Sequence, residues 1–159
     1  MDTLEELRKQ RAELDKKIEE LEFEECPYKE GDEYYIVDSA GLVNSNTWDE
    51  FFFERRAFYQ GNIFQTKQEA ELESERRKLL HRFKMFRDKC NDGWKPDFKL
   101  VDEEFYFIIA EDNRFLNYES SKWDNAFNLF GYFKNESDAQ KAIELFGDEI
   151  KRLYVDCEV

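Results

Sequence analysis

Adjacent carboxylates recur in the last third of the chain: Glu103 beside Glu104, Glu111 beside Asp112, and Asp148 beside Glu149. Paired carboxylates can act as general acid and base where their surroundings push their proton affinities apart. Adjacent acidic residues at strand and helix ends are ordinarily solvated. His81 is the single histidine, with Arg77 and Met85 four residues to either side, and neither neighbour suits a metal or a nucleophile. Cys26, Cys90 and Cys157 have no cysteine or histidine at ligand spacing, and three separated thiols point to a reducing compartment. With six glycines the chain also has no glycine-rich phosphate loop. No catalytic residue, metal site or cofactor is therefore expected, and the chemistry that remains is binding.

Charge shapes what can be bound. Twenty-four basic and 38 acidic side chains leave a net charge of −14. Direct nucleic-acid binding is not expected, because phosphate contacts require a positive surface. An acidic surface suits a protein that itself holds nucleic acid. The excess is uneven: 10 acidic and 5 basic residues over 1–25, 13 and 12 over 26–95, and 15 and 7 over 96–159. The candidate partner-binding residues are accordingly Asp102, Glu103, Glu104, Glu111, Asp112, Asp124, Glu136, Asp138, Asp148 and Glu149. Solubility alone is the plainer reading of the same charge.

These carboxylates need elements to carry them. Residues 1–25 read as one helix, with Leu7, Leu14 and Leu21 at heptad d positions and Leu4, Arg11 and Ile18 at a positions. Leu at d with a β-branched residue at a is the pattern of a two-stranded parallel coil, weakened here by Arg11. The candidate oligomerisation residues are Leu4, Leu7, Arg11, Leu14, Ile18 and Leu21. The same stripe could pack on the chain's own core or receive a partner's helix, and three heptads alone are marginal.

Pro27 ends that helix. Residues 28–91 then read as strand (Glu33 to Val37), turn, and return strand at Leu42-Val43. A polar connection over Asn44 to Thr47 leads to a short helix within Trp48 to Tyr59, and a longer helix runs from Lys67 to about Cys90. Thr66-Lys67-Gln68-Glu69 is a capping box for that helix. Its buried face is expected to hold Ala70, Leu72, Leu79, Leu80, Phe83 and Phe86. The linker follows at Asn91 to Asp97.

Residues 96–159 repeat this order. A strand over Glu104 to Ala110 and a return strand over Arg114 to Tyr118 precede a helix from Glu136, which Gly147-Asp148 is expected to interrupt. Phe133, Asn135, Asp138 and Ala139 stand 69 residues after Phe64, Thr66, Glu69 and Ala70, and Trp123-Asp124 matches Trp48-Asp49. The expected fold class is α+β: an N-terminal coiled-coil helix, then two related β-hairpin/strand–helix units packed together. Sixteen Phe and eight Tyr would dominate the core. The run Phe51, Phe52, Phe53, Phe58 and Tyr59 is expected to fill that core, or else to stack a nucleotide at a dimer interface.

Gly31-Asp32-x-Tyr34-Tyr35-x-Val37, Gly41-x-Val43, Trp48 and Gly61-Asn62-x-Phe64-x-Thr66-x-x-Glu69-Ala70-Glu71 together follow a leading charged heptad helix. With Trp123, Asp138-Ala139-x-x-Ala142-Ile143 and Phe146-Gly147, they cover nearly the whole chain. This pattern resembles small acidic proteins of tailed bacteriophages and prophages. These motifs are turns, aromatics and caps, so the resemblance implies a phage origin without assigning an activity. Joined to the charge, it leads to the expectation of a non-enzymatic counter-defence inhibitor of anti-CRISPR or anti-restriction type. Such a protein would be homodimeric through the coil, and its acidic, DNA-mimicking surface would cover a host nuclease or other nucleic-acid-binding protein. A phage structural or assembly accessory and a nucleotide-sequestering protein are the alternatives. No apolar run is long enough for a membrane span, and the expected location is the cytoplasm of the infected bacterial host.

Overall fold

The structure, a computed structural model, describes residues 2–99, 103–111, 115–122 and 125–157. It is mixed α+β, with four α-helices and two separate two-stranded antiparallel sheets among the described residues. In chain order these are α1 (Asp2–Phe23), β1 (Glu33–Val37), β2 (Val43–Thr47), α2 (Phe52–Tyr59) and α3 (Lys67–Asn91). They are followed by β3 (Phe105–Ala110), β4 (Leu116–Ser121), α4 (Glu136–Ile150) and a π-helical turn over Lys151–Val155. No helix among the described residues is long and apolar enough to cross a membrane.

The first hairpin pairs Tyr34 with Asn46 and Val37 with Val43. Asn44 to Thr47, expected as a connection, is thus the return strand. Its side chains are exposed and only its backbone serves the sheet, so polar residues are tolerated there and the apolar alternation that marks a strand is missing. The second hairpin pairs Phe105 with Ser121 and Ala110 with Leu116, so its return strand also starts and ends later than expected.

Each hairpin gains a third backbone partner just before a helix. Tyr35 and Phe64 exchange two N–H···O bonds of 2.9 Å, and Tyr106 and Phe133 exchange two of 2.9 and 2.8 Å. Two residues past each bridge an asparagine side chain closes the strand. Asn62 Nδ2 donates to the Val37 carbonyl (2.9 Å), and Asn128 Nδ2 donates to the Ile108 carbonyl (2.8 Å).

Helix α3 starts with a two-way cap. The Thr66 hydroxyl accepts from the Glu69 N–H at 3.2 Å, and the Glu69 carboxylate accepts from the Thr66 N–H at 3.0 Å. At α4 the corresponding Asn135 does not cap by its side chain. Its amide instead donates to the Asp138 carboxylate at 3.0 Å. Gly147 does not interrupt α4, which runs on to Ile150 and into the π turn. At the end of that turn the Leu153 carbonyl accepts from Arg76 Nε at 2.8 Å and from the Cys157 thiol at 3.1 Å.

The core lies between α3, α4 and β3. Leu79 and Phe83 from α3 meet Ala139, Ala142, Phe146 and Ile150 from α4, with Ile108, Phe130, Phe133 and Leu153. Phe83 is its hub, with ring centroids at 4.8 Å from Phe130, 5.3 Å from Phe146 and 5.8 Å from Phe133. Alanines on α4 bring the helices close enough for these rings to interlock. Strand β3 is covered on both faces, since Phe105 and Phe107 pack on Tyr132 while Ile108 enters the core. This explains its unbroken apolar run.

Candidate functional site

A second, smaller cluster surrounds β1. Tyr28 stacks on Trp48 with centroids 5.3 Å apart, and Tyr34 meets Trp48 edge-on at 5.8 Å. Beneath them Glu54 is 1 % exposed. Its carboxylate accepts from the Tyr34 hydroxyl (3.1 Å), the Asp49 N–H (3.1 Å) and the Phe51 N–H (2.8 Å). Three donors are what a buried carboxylate requires, and together they anchor the first turn of α2. Burial, then the hydrogen bond to Glu54, pushes the Tyr34 phenol up to about 12. Nothing local in the sequence marks Glu54, which stands beside Arg55 and Arg56, as buried.

Anchoring α2 in this way turns its aromatic residues outward. Phe51, Phe52 and Phe53 are 55 %, 75 % and 59 % exposed, and Tyr59 is exposed as well. The expectation that this run fills the core is corrected for these four residues, while Phe58 is half-buried against Tyr28. Helix geometry gives the reason. Glu54 occupies the inward face, so its neighbours in sequence point elsewhere.

Helix α1 is exposed along its described length. Leu4, Leu7, Leu14, Ile18 and Leu21 range from 53 % exposed at Ile18 to 70 % at Leu21, and Arg11 pairs with Asp15 along the helix at 3.6 Å. The heptad stripe does not pack on the chain's own core.

The acidic candidates separate into different settings. Asp102, Asp112 and Asp124, with Trp123, lie outside the described residues. Glu103 accepts from the Trp94 indole N–H and is half-buried. Glu104 and Glu136 come together around two tyrosines at the start of β3 and of α4. The Tyr118 hydroxyl donates to Glu136 at 2.6 Å, and this bond is the main cause that raises the Tyr118 phenol. Tyr106 beside it is raised by burial, then by Glu104 and Glu136. Glu111 accepts from the Asn117 amide at 2.6 Å. Asp138 is half-buried and faces Cys90, whose thiol is raised by burial and then by that carboxylate.

Asp148 is exposed, whereas Glu149 takes a two-oxygen contact from Arg82 Nη1 at 2.8 and 2.9 Å. Thirteen residues of helix put Glu136 and Glu149 about 20 Å apart along α4. The acidic residues therefore sit in separate places along this unit, several of them engaged by neighbours.

The structure also assembles a group that had no marker in the sequence. Arg87 lies flat over Gly131, where an added Cβ would meet its Nη1 at 2.3 Å, and this Nη1 donates to the Phe130 carbonyl at 3.0 Å. Glycine is favoured there by its backbone φ of +73°, which L side chains rarely adopt. Asn91, buried at the end of α3, donates to the Tyr132 carbonyl (2.8 Å) and accepts from the Lys134 N–H (3.1 Å). Among the described residues no group of histidine, cysteine, aspartate and glutamate could hold a metal ion.

No known family matches the chain, and no curated protein or solved structure matches it either.

Proposed function

We propose that this chain is a non-enzymatic bacteriophage protein that works by binding another protein. In this reading it is a counter-defence inhibitor of anti-CRISPR or anti-restriction type, acting in the cytoplasm of the infected host. It forms a homodimer through α1, and the carboxylates of its second hairpin–helix unit present a DNA-like surface to a host nuclease or other nucleic-acid-binding protein. The two hairpin–helix units are read as related, packed against each other through α3 and α4.

The observation that carries the proposal is α1. A helix about 33 Å long keeps an exposed heptad of leucines and isoleucine on a body of net charge −14. An apolar stripe of this kind is stable in water when another helix covers it, and a second copy of the same stripe is complementary to it. Sedimentation equilibrium should give a dimer for the parent and a monomer for Leu14→Lys/Ile18→Lys. Inhibition of phage-targeting nucleases should fall steeply as salt rises, and should fall with Glu104→Gln/Glu111→Gln/Asp148→Asn. Inhibition indifferent to salt and to those substitutions would overturn the DNA-mimic reading.

The exposed Phe51, Phe52 and Phe53 favour a second reading, a phage assembly accessory that joins virion proteins through aromatic surface. Loss of plaques on a host without defence systems distinguishes it.

A further inference from the structure

A half-open cavity of about 720 Å³ lies where the end of α3 meets the chain that follows it. Helix α3 lines it with Lys84, Arg87 and Asp88, which share one face at i, i+3 and i+4. The connector after α3 turns back and contributes Trp94 and Lys95, and Tyr132 lines it from the segment ahead of α4. The volume falls within the roughly 300–1,000 Å³ usual for small-molecule sites.

The charge of this cavity opposes that of the chain. Three cations and one carboxylate line it, in a protein of net charge −14. Asp88 is already engaged by Arg87, through Nε at 3.0 Å and Nη2 at 2.7 Å. Lys84 and Lys95 are exposed and have no ion pair among the described residues. Two ammonium groups are thus left to an anion from outside.

Trp94 supplies the second recognition element. Its indole N–H donates to Glu103 and its backbone N–H donates to the Asn91 carbonyl at 2.8 Å, so the ring is held from two sides. Trp48 stacks on Tyr28, but Trp94 has no aromatic partner among the described residues. A fixed, half-buried indole with no ring against it can receive another planar group.

We propose that this cavity binds a nucleotide, with the base stacked on Trp94 and the phosphates held by Lys84 and Lys95. Base–aromatic stacking tolerates any base, and lysine ammonium groups bind phosphate as point charges. Arg87, pinned over Gly131, forms a charged wall. None of the acidic-surface carboxylates contacts the ligand in this proposal; Glu103 of that set acts by holding the Trp94 indole.

Calorimetric titration of the full chain with ATP, GTP, adenosine and inorganic tripolyphosphate tests it. Both nucleotides should bind, and adenosine and tripolyphosphate should each bind at least about tenfold more weakly. Trp94→Ala should weaken nucleotide binding about tenfold or more, the amount expected for one lost stacking partner. Lys84→Ala/Lys95→Ala, at two exposed positions, should do the same and reduce the salt dependence while leaving the circular dichroism spectrum unchanged. If Trp94→Ala unfolds, the lysine pair decides alone. Failure of both nucleotides to bind at about 1 mM overturns the proposal, as does binding that the lysine pair leaves unchanged. Equal affinity for tripolyphosphate and ATP would show a simple anion site and overturn the nucleotide assignment.

Discussion

Replacing Glu54 should unfasten the first hairpin from α2. In Glu54→Ala the Tyr34 hydroxyl, at a residue 1 % exposed, keeps its donor but has no acceptor, whereas the Asp49 and Phe51 N–H groups sit at exposed residues that water can reach. Hydrogen bonds to a charged group contribute about 1.5–3 kcal/mol each, and an orphaned buried donor costs about 1–3 kcal/mol. The desolvation that the carboxylate no longer suffers offsets part of this. The expected loss is about 2–4 kcal/mol, a large fraction of the roughly 5–15 kcal/mol that holds a domain folded.

Tyr34→Phe leaves Glu54 charged and buried with two backbone donors, and should cost about 1.5–3 kcal/mol. The double variant should fall short of the sum by about 1 kcal/mol or more, because either single change already removes the shared bond. Urea unfolding followed by tryptophan fluorescence reads all three, with Trp48 packed on Tyr34 as a local reporter. A Glu54→Ala protein within about 0.5 kcal/mol of the parent, the range of ordinary surface substitutions, would refute the reasoning. So would additivity of the two single changes.

Three further outcomes are expected, one at Tyr34 and two elsewhere in the fold. The Tyr34 phenol is raised to about 12, so its contribution should be fully present below the unfolded value near pH 10 and be lost as pH rises through 12. The difference in stability between parent and Tyr34→Phe should therefore shrink by roughly 2–3 kcal/mol across that interval, read from denaturant midpoints at several pH values. Phe83→Ala empties the hub of the α3–α4 core and should cost about 3–5 kcal/mol, measured by urea unfolding. Thr66→Ala removes the acceptor for the Glu69 N–H and should cost about 1 kcal/mol, whereas Asn135→Ala should cost less, because Asn135 does not cap by its side chain.

Much of the scaffold was legible locally because short-range rules govern it. The Thr66–Glu69 box, the α3 periodicity and the apolar β3 run each depend on residues within a few positions of one another. The heptad of α1 was equally legible, and its exposure left that pattern intact. Strand β2 was harder to read, since Val43–Thr47 contributes backbone and little apolar surface. The π turn that follows α4 offers its Leu153 carbonyl to Arg76, 77 residues earlier in the chain.

By itself the sequence determined the position of α1 and α3, the Thr66–Glu69 cap and the net charge, all properties of neighbouring residues or simple sums. Tertiary structure alone decided which charges are engaged. It placed Glu54 beneath Tyr34, set Glu149 against Arg82, and brought Lys84 to the cavity that Trp94 and Lys95 line. It also gave Asn62 and Asn128 the same task, although one lies two residues before its bridging phenylalanine and the other five. The physical reason is range: a cap or an amphipathic stripe acts over one or two helical turns, whereas the partner of a buried or surface charge is chosen by how distant segments pack.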